Sequence, residues 1–309
     1  MTMFPVPEVG EAEQVEFGWY EGPPRPGTAV LLESAHAADA EMGFSSPARS
    51  LARASGRSIT AEIRTTLHRW GTPRPTEPRL AAVLTMWKSG SLGWAMDIVV
   101  DPRFRSTGVA TAVFERLGPE VSGPLPGFDV TGQISGCAFG SHPAAERMAR
   151  RVGAVLAGRR DRLLLPSRAV YEMSRIAKGP GPKCVVTEVG VGEVVPSRSG
   201  WRDFEVEKPG ARRLEVSSAE GTILGDFRIY RSDGSDGAVG EIRDMVVSEA
   251  ATRLGQTGAE AVLRSAVEVL WQSGVGSVDA AVEASRTQEL ELFRAAAFQH
   301  DRSDSLFVR

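Results

Sequence analysis

Arg105-x-x-Gly108-x-Ala110 is the stretch whose residue types and spacing fit a definite chemistry. It joins an arginine, two small residues and the start of a helix. Glycine lets a ligand approach the backbone closely. The first amides of a helix lack intrahelical partners and point outward at its positive end. Such a turn is an anion site, and a diphosphate is its natural guest. Ser106 and Thr107 are candidate caps for the helix, and Val109 is its first apolar residue.

The elements that must position this turn are legible around it. Met96 to Val100 is a short β-branched run and predicts a strand. Asp101-Pro102 stops it, because proline cannot donate to a ladder. Val109, Val113, Phe114 and Leu117 lie on one face of a helix. The unit is therefore strand, cationic turn, helix. Asp97 lies on that strand, where it is either a general base toward a reacting group or a solvated carboxylate.

Composition narrows the classes. The chain has 309 residues, room for two domains, and 42% hydrophobic residues, enough for buried cores. A net charge of -3 gives no basic field for nucleic acid. No apolar stretch approaches membrane-spanning length, and the first residues lack the basic-then-apolar order of a signal peptide. The two cysteines, Cys137 and Cys184, fit no metal or redox spacing, so no metal is expected and a reduced, cytoplasmic protein is.

In chain order, Thr28 to Met42 has a helical pattern, and Ser46-Pro47 starts another short helix. Ile59 to Trp70 fits either strand or helix. Leu80 to Trp87 and Leu92 to Val100 form a hairpin across Lys88-Ser89-Gly90-Ser91. After the motif helix come a strand within Phe128 to Phe139, a helix from His142 to Gly153, and a strand at Leu163 to Leu165. His142 begins that helix as either a site residue or a surface N-terminal residue, and the second is expected because a lone histidine names no partner. Ser167 to Cys184, with Gly179-Pro-Gly-Pro182, is a linker by composition. A second copy follows: strands at Thr222 to Tyr230 and Val239 to Val247, a helix from Gly258 to Gln272, a strand at Ser277 to Ala284, a helix from Arg286 to Phe298, and a last strand at Ser305 to Val308. Val100, Ala154 and Leu163 align with Val247, Phe298 and Leu306 at a spacing of about 145 residues, which marks an internal repeat. The expected domains are 1–166 and 185–309, with 167–184 between them. The C-terminal domain is trimmed at its N-terminal side, with no counterpart of the helices at 28–54.

The turn, with a strand before it and a helix after it, resembles the coenzyme A loop of the GNAT acetyltransferase superfamily, Arg/Gln-x-x-Gly-x-Gly/Ala. The element order of both copies matches that family. The resemblance implies an α/β (α+β) fold of two tandem domains, each a mixed, mostly antiparallel sheet flanked by helices. It implies acetyl-CoA as co-substrate and a small-molecule amine as acceptor, in the cytoplasm, in a monomer or homodimer. It runs the pantetheine along Met96 to Val100, with the amides of Val99 and Val100 as oxyanion donors and Arg105, Ser106, Thr107, Gly108, Val109 and Ala110 around the diphosphate. Glu241 and Asp244 match Asp97 as candidate bases in the second copy.

Two departures from the family pattern support a different reading, a non-catalytic acyl-CoA-binding or scaffold pair. Neither copy has the tyrosine that commonly protonates the departing thiolate; the first has Met148-Ala149 and the second Leu292-Phe293. The second loop reads Thr252-x-x-Gly255-x-Thr257, or Arg253-x-x-Gln256-x-Gly258 one residue on, and neither form keeps the whole pattern. The first copy is therefore the expected coenzyme binder. Gly108→Val should abolish the thermal shift given by acetyl-CoA while the protein stays folded, because a side chain there blocks the phosphate. An undiminished shift in the folded variant would remove the coenzyme assignment from this turn.

Overall fold

A computed structural model describes residues 15–40, 43–44, 56–68, 71–73, 75–89, 93–117, 130, 132–176, 182–190, 200–205, 210–234 and 237–309. The expected helix at Ser46-Pro47 and the Gly179-Pro-Gly stretch lie outside these residues.

The first elements are β1 (Val15–Glu21), α1 (Ala29–Ala40), β2 (Ser58–Thr65), β3 (Arg79–Ser89) and β4 (Gly93–Val100). Then come α2 (Val109–Leu117), β5 (Ile134–Ala138), α3 (Pro143–Arg151) and β6 (Val155–Leu165). The rest of the chain forms α4 (Arg168–Ile176), β7 (Cys184–Val189), β8 (Arg212–Ser218), β9 (Ile223–Gly234), β10 (Gly237–Val247), α5 (Glu249–Arg253), α6 (Gln256–Gln272), β11 (Ser277–Glu283), α7 (Thr287–Ala295) and β12 (Gln299–Val308). The ambiguous Ile59 to Trp70 stretch is a strand, β2. Its partner β3 is buried from Ala81 to Trp87 and apolar there except at Thr85, as suits a central strand covered on both faces.

The chain divides into two compact units. The first comprises Met1–Ala157, Ser197–Val206 and Asp304–Arg309, the second Gly158–Pro196 and Glu207–Ser303. Each unit is a mixed, mostly antiparallel sheet with helices. In the first, β1 to β4 are antiparallel neighbours, β4 and β5 are parallel, and Ser305–Val308 pairs antiparallel with β5. In the second, β7 to β10 are antiparallel, β10 and β11 are parallel, and β6 pairs antiparallel with β11. The two topologies are the same, which is the internal repeat realised in space.

The last strands are exchanged. Chain order assigns Leu163 to Leu165 to the first copy and Ser305 to Val308 to the second. Pairing does the reverse: Leu163, Leu164 and Leu165 lie opposite Ala280, Asp279 and Val278, while Ser305 lies opposite Ala138. Either strand offers the same alternation to either β-strand edge, so the local pattern does not choose the partner. The first unit also takes in Gly200–Phe204, a 3-10 helix whose Trp201 and Phe204 pack with Trp87, Ala95, Phe139 and Leu306. The stretch 167–184, expected as linker, contains α4, and its Tyr171 is buried in the core of the second unit. Here tertiary burial overrides a composition-based reading.

Leu306 is thus a core residue of the first unit although it lies near the far end of the sequence. Leu306→Ala should cost about 2–5 kcal/mol, as large-to-small core changes do. Hydrogen exchange should rise in β5 and its neighbours and leave β11 unchanged. Faster exchange in β11 alone would contradict the pairing.

Candidate functional site

The first unit holds a cleft of about 960 Å³. Its walls come from α1, the C-terminal half of β4, the turn before α2, β5, α3 and the end of β12. The cleft exists because β4 and β5 diverge. They pair in parallel only at Trp94, Ala95 and Met96, opposite Ile134, Ser135 and Gly136. β4 stays paired with β3 on its other edge in unbroken register through Val100.

Strand alternation decides which backbone groups face the gap. The Asp101 amide donates to the Ala81 carbonyl at 2.9 Å, on the β3 side. The Trp94 amide donates to the Gln133 carbonyl at 2.9 Å, on the β5 side. Val99 therefore turns its amide to β3, whereas Ile98 and Val100 turn theirs into the gap. Of the two expected donors, both of which line the cleft, Val100 turns its amide to the gap and Val99 turns its amide to β3. Ile98 was missed. The alternation that would have found it is local, but choosing the gap-facing edge requires knowing the neighbour. Met96, Ile98 and Val100 pack their side chains against the core under α2, with Phe104, Val109 and Val113. Asp97 projects from the opposite face of β4 and also lines the cleft.

The turn is built as its sequence suggests. Asp101, itself buried, accepts from the Arg103 amide at 2.8 Å and starts a 3-10 turn at Pro102–Phe104. Ser106 and Gly108 both have positive φ, 64° and 93°. Thr107 Oγ1 donates to the Phe104 carbonyl at 2.6 Å rather than capping the helix. The Ala112 amide bonds the Gly108 carbonyl at 2.9 Å, so α2 begins with its first amides still directed outward. Arg105, Ser106, Gly108, Val109 and Ala110 line the cleft. The Arg105 guanidinium is bound to Asp39 on α1 by two hydrogen bonds, 2.7 and 2.8 Å.

His142 has a definite role. Its Nδ1 accepts the Ala144 amide at 3.1 Å, which makes it the N-cap of α3, and its ring meets Phe44 edge-on at 4.7 Å. Burial pushes its pKa down; Asp39 opposes this, and Arg105 and Arg147 reinforce it. An accepting Nδ1 leaves the ring proton on Nε2. The loop before it is held by Asp304, a buried carboxylate that accepts the Gly140 amide at 3.0 Å. Glu33 and His36, which the sequence reading did not name and no motif surrounds, line the same cleft, as does Cys137.

The other two candidate bases, Glu241 and Asp244, lie in the second unit. Glu241 is buried, bonded by Arg243 Nε at 2.6 Å and faced by Arg162 at 3.9 Å. Asp244 sits at a bulge between Arg243 and Val246 with φ of 49°, and Arg228 lies 3.5 Å from it. β10 and β11 also part after Ile242, so the second unit repeats the divergence. Its loop differs. α5 intervenes, capped by Ser248, and a Cβ on Gly258 would lie 2.3 Å from the Ala251 carbonyl oxygen. Gly258 thus serves helix packing, and Arg253 pairs with exposed Glu249.

No family model matches the chain. It is 26% identical over 256 residues to a mycothiol acetyltransferase from Clavibacter sepedonicus, covering 75% of this chain and 77% of that protein. Among solved structures it resembles a tandem GNAT protein from the clavulanic acid biosynthesis pathway, with a TM-score of 0.61, 14% identity, and coverage of 95% of this chain and 98% of that one. It also resembles a GCN5-related N-acetyltransferase from Sphaerobacter thermophilus, with a TM-score of 0.54, 16% identity and coverage of 94% and 95%.

The cap generates a pH prediction. His142 is held below its ordinary pKa, so its contribution to stability is present above about pH 6.5 and is lost as pH falls through the lower folded value. His142→Ala should cost about 0.5–2 kcal/mol at pH 8 and progressively less toward pH 5. A stability difference that grows on acidification would show that the neutral ring is not the cap. Two units of one topology, each with central strands that part, give this chain the fold of the tandem GNAT and GCN5-related N-acetyltransferase structures it resembles, and its sequence is similar to that of a mycothiol acetyltransferase.

Proposed function

We propose that the first unit binds acetyl-CoA and transfers its acetyl group directly to the amine of a small molecule. The observation that carries this reading is the gap past Met96, which aims the Ile98 and Val100 amides into a cleft that ends at the open helix terminus of α2. A pantetheine chain is an extended series of amides and can pair with β4 where β5 no longer does. The diphosphate then meets the amides at Gly108, Val109 and Ala110, with Ser106 and Thr107 shaping their approach. The Val100 amide donates to the oxygen of the thioester carbonyl as the amine attacks it. Asp97, across the sheet face from α2, accepts the proton of the amine. Thiolate is a tolerable leaving group near neutral pH, so the missing tyrosine at Ala149 does not prevent transfer. Dependence on acetyl-CoA fits a cytoplasmic location. Among the described residues no helix is long and apolar enough to cross a membrane.

The scaffold reading keeps one specific support: Ala149 and Met148 line the cleft where the family's acid would stand. Calorimetry and turnover separate the two. One equivalent of acetyl-CoA should bind per chain, and amines should trigger release of free coenzyme thiol. Asp97→Asn should lower the release rate about 10²-fold or more with little change in coenzyme affinity, as expected for loss of a general base. Binding without release against a broad amine library would favour the scaffold. No binding at all would end the acyl-CoA reading.

A further inference from the structure

Arg105 occupies the position that the loop pattern assigns to the diphosphate, yet its hydrogen bonds go to the protein. Nη1 and Nη2 each reach one oxygen of Asp39, at 2.7 and 2.8 Å. Nε lies 3.3 Å from the carbonyl oxygen of Val100, the last residue of β4. That carbonyl faces the gap, where no strand pairs with it. The guanidinium therefore ties three elements together: the C-terminal turn of α1, the exit of β4 and the turn before α2. Both side chains are largely shielded, at 31% and 16% exposure. A bidentate pair fixes orientation as well as distance, and shielding limits screening by salt.

The pair also settles an electrostatic problem. Asp39 lines the cleft beside the anion site. An unneutralised carboxylate there would repel a diphosphate. α1 presents Glu33, His36 and Asp39 to the cleft at successive turns, so the seat of this helix determines one wall of the site.

We propose that Arg105 and Asp39 are positioning residues that clamp α1 onto the coenzyme turn, and that backbone amides alone hold the diphosphate. The inference rests on the acyl-CoA reading of the first unit. It assigns Arg105 a partner of opposite kind from the one its motif suggests.

The test uses the full chain and two probes, acetyl-CoA and S-acetylpantetheine, which carries the thioester arm without the nucleotide diphosphate. Arg105→Ala, Asp39→Ala and the double variant are compared with the wild type. In the ligand-free protein, hydrogen exchange over 29–40 should quicken by about tenfold in each single variant, with no further gain in the double, since the two share one interaction. Both probes should weaken by the same factor, about three- to tenfold, in every variant. Three results would overturn the clamp: loss confined to acetyl-CoA in Arg105→Ala, tighter acetyl-CoA binding in Asp39→Ala, or unchanged exchange over 29–40. If the wild type binds neither probe, the acyl-CoA reading fails, while the exchange measurement still decides whether the clamp exists.

Discussion

The divergence of β4 from β5 is the constraint on which the rest of the first unit depends. A central strand normally spends its backbone donors and acceptors on two neighbours. Here pairing with β5 ends at Met96, and the groups of Ile98 and Val100 are left facing a cleft. Backbone polar groups cannot stay unsatisfied in a dry interior, so such a gap demands water or a ligand with matching amides. The strands around the gap are packed in two clusters. The core under α2 takes Met96, Ile98 and Val100, while Trp87, Ala95, Phe139, Trp201, Phe204 and Leu306 pack together as a separate cluster.

The two units show how one topology can be fitted differently at the same point. In the first, the turn after the central strand carries Gly108 at φ 93°, and the chain enters α2 directly. In the second, Ser248 starts α5, whose Ala251 carbonyl closes against Gly258. The central strand of the second unit is bulged at Asp244, and Gly225 lets the Val246 carbonyl come close, since a Cβ there would lie 2.2 Å from that oxygen. Burial pushes the pKa of Asp279 up, with Glu241 beside it adding to the effect, while Arg302 and Arg162 oppose it. This strand face is an ion network, stabilised by mutual pairing. It contrasts with the first cleft, whose walls are mainly apolar.

Exchange of the terminal strands makes the two halves of the sequence interdependent. Asp304, Ser305 and Leu306 belong to the first unit, and Asp304 holds the Gly140 amide just before the His142 cap. A residue near the end of the sequence thus helps to shape a wall of the first cleft. An internal repeat in sequence need not map onto contiguous folding units. Equivalent strands from the two copies present similar edges, and the partner is chosen by the whole fold.

What the sequence determined by itself is what neighbours along the chain decide. The strand, turn and helix at 96–117 follow from β-branched run, proline stop, small residues and 3.6-residue periodicity, and the structure has them where the pattern lies. The repeat and the mixed sheets were legible for the same reason. Tertiary structure decided the matters that rest on residues distant in sequence. It set the partners of Leu163 to Leu165 and of Ser305 to Val308, the burial of Tyr171 in a stretch that composition marks as linker, and the edge on which Ile98 and Val100, but not Val99, meet the gap. It also gave Arg105 to Asp39, a pairing across α1 and the turn that no local spacing encodes, because a side chain's charge is written in the sequence but its nearest counter-charge is written only in the fold.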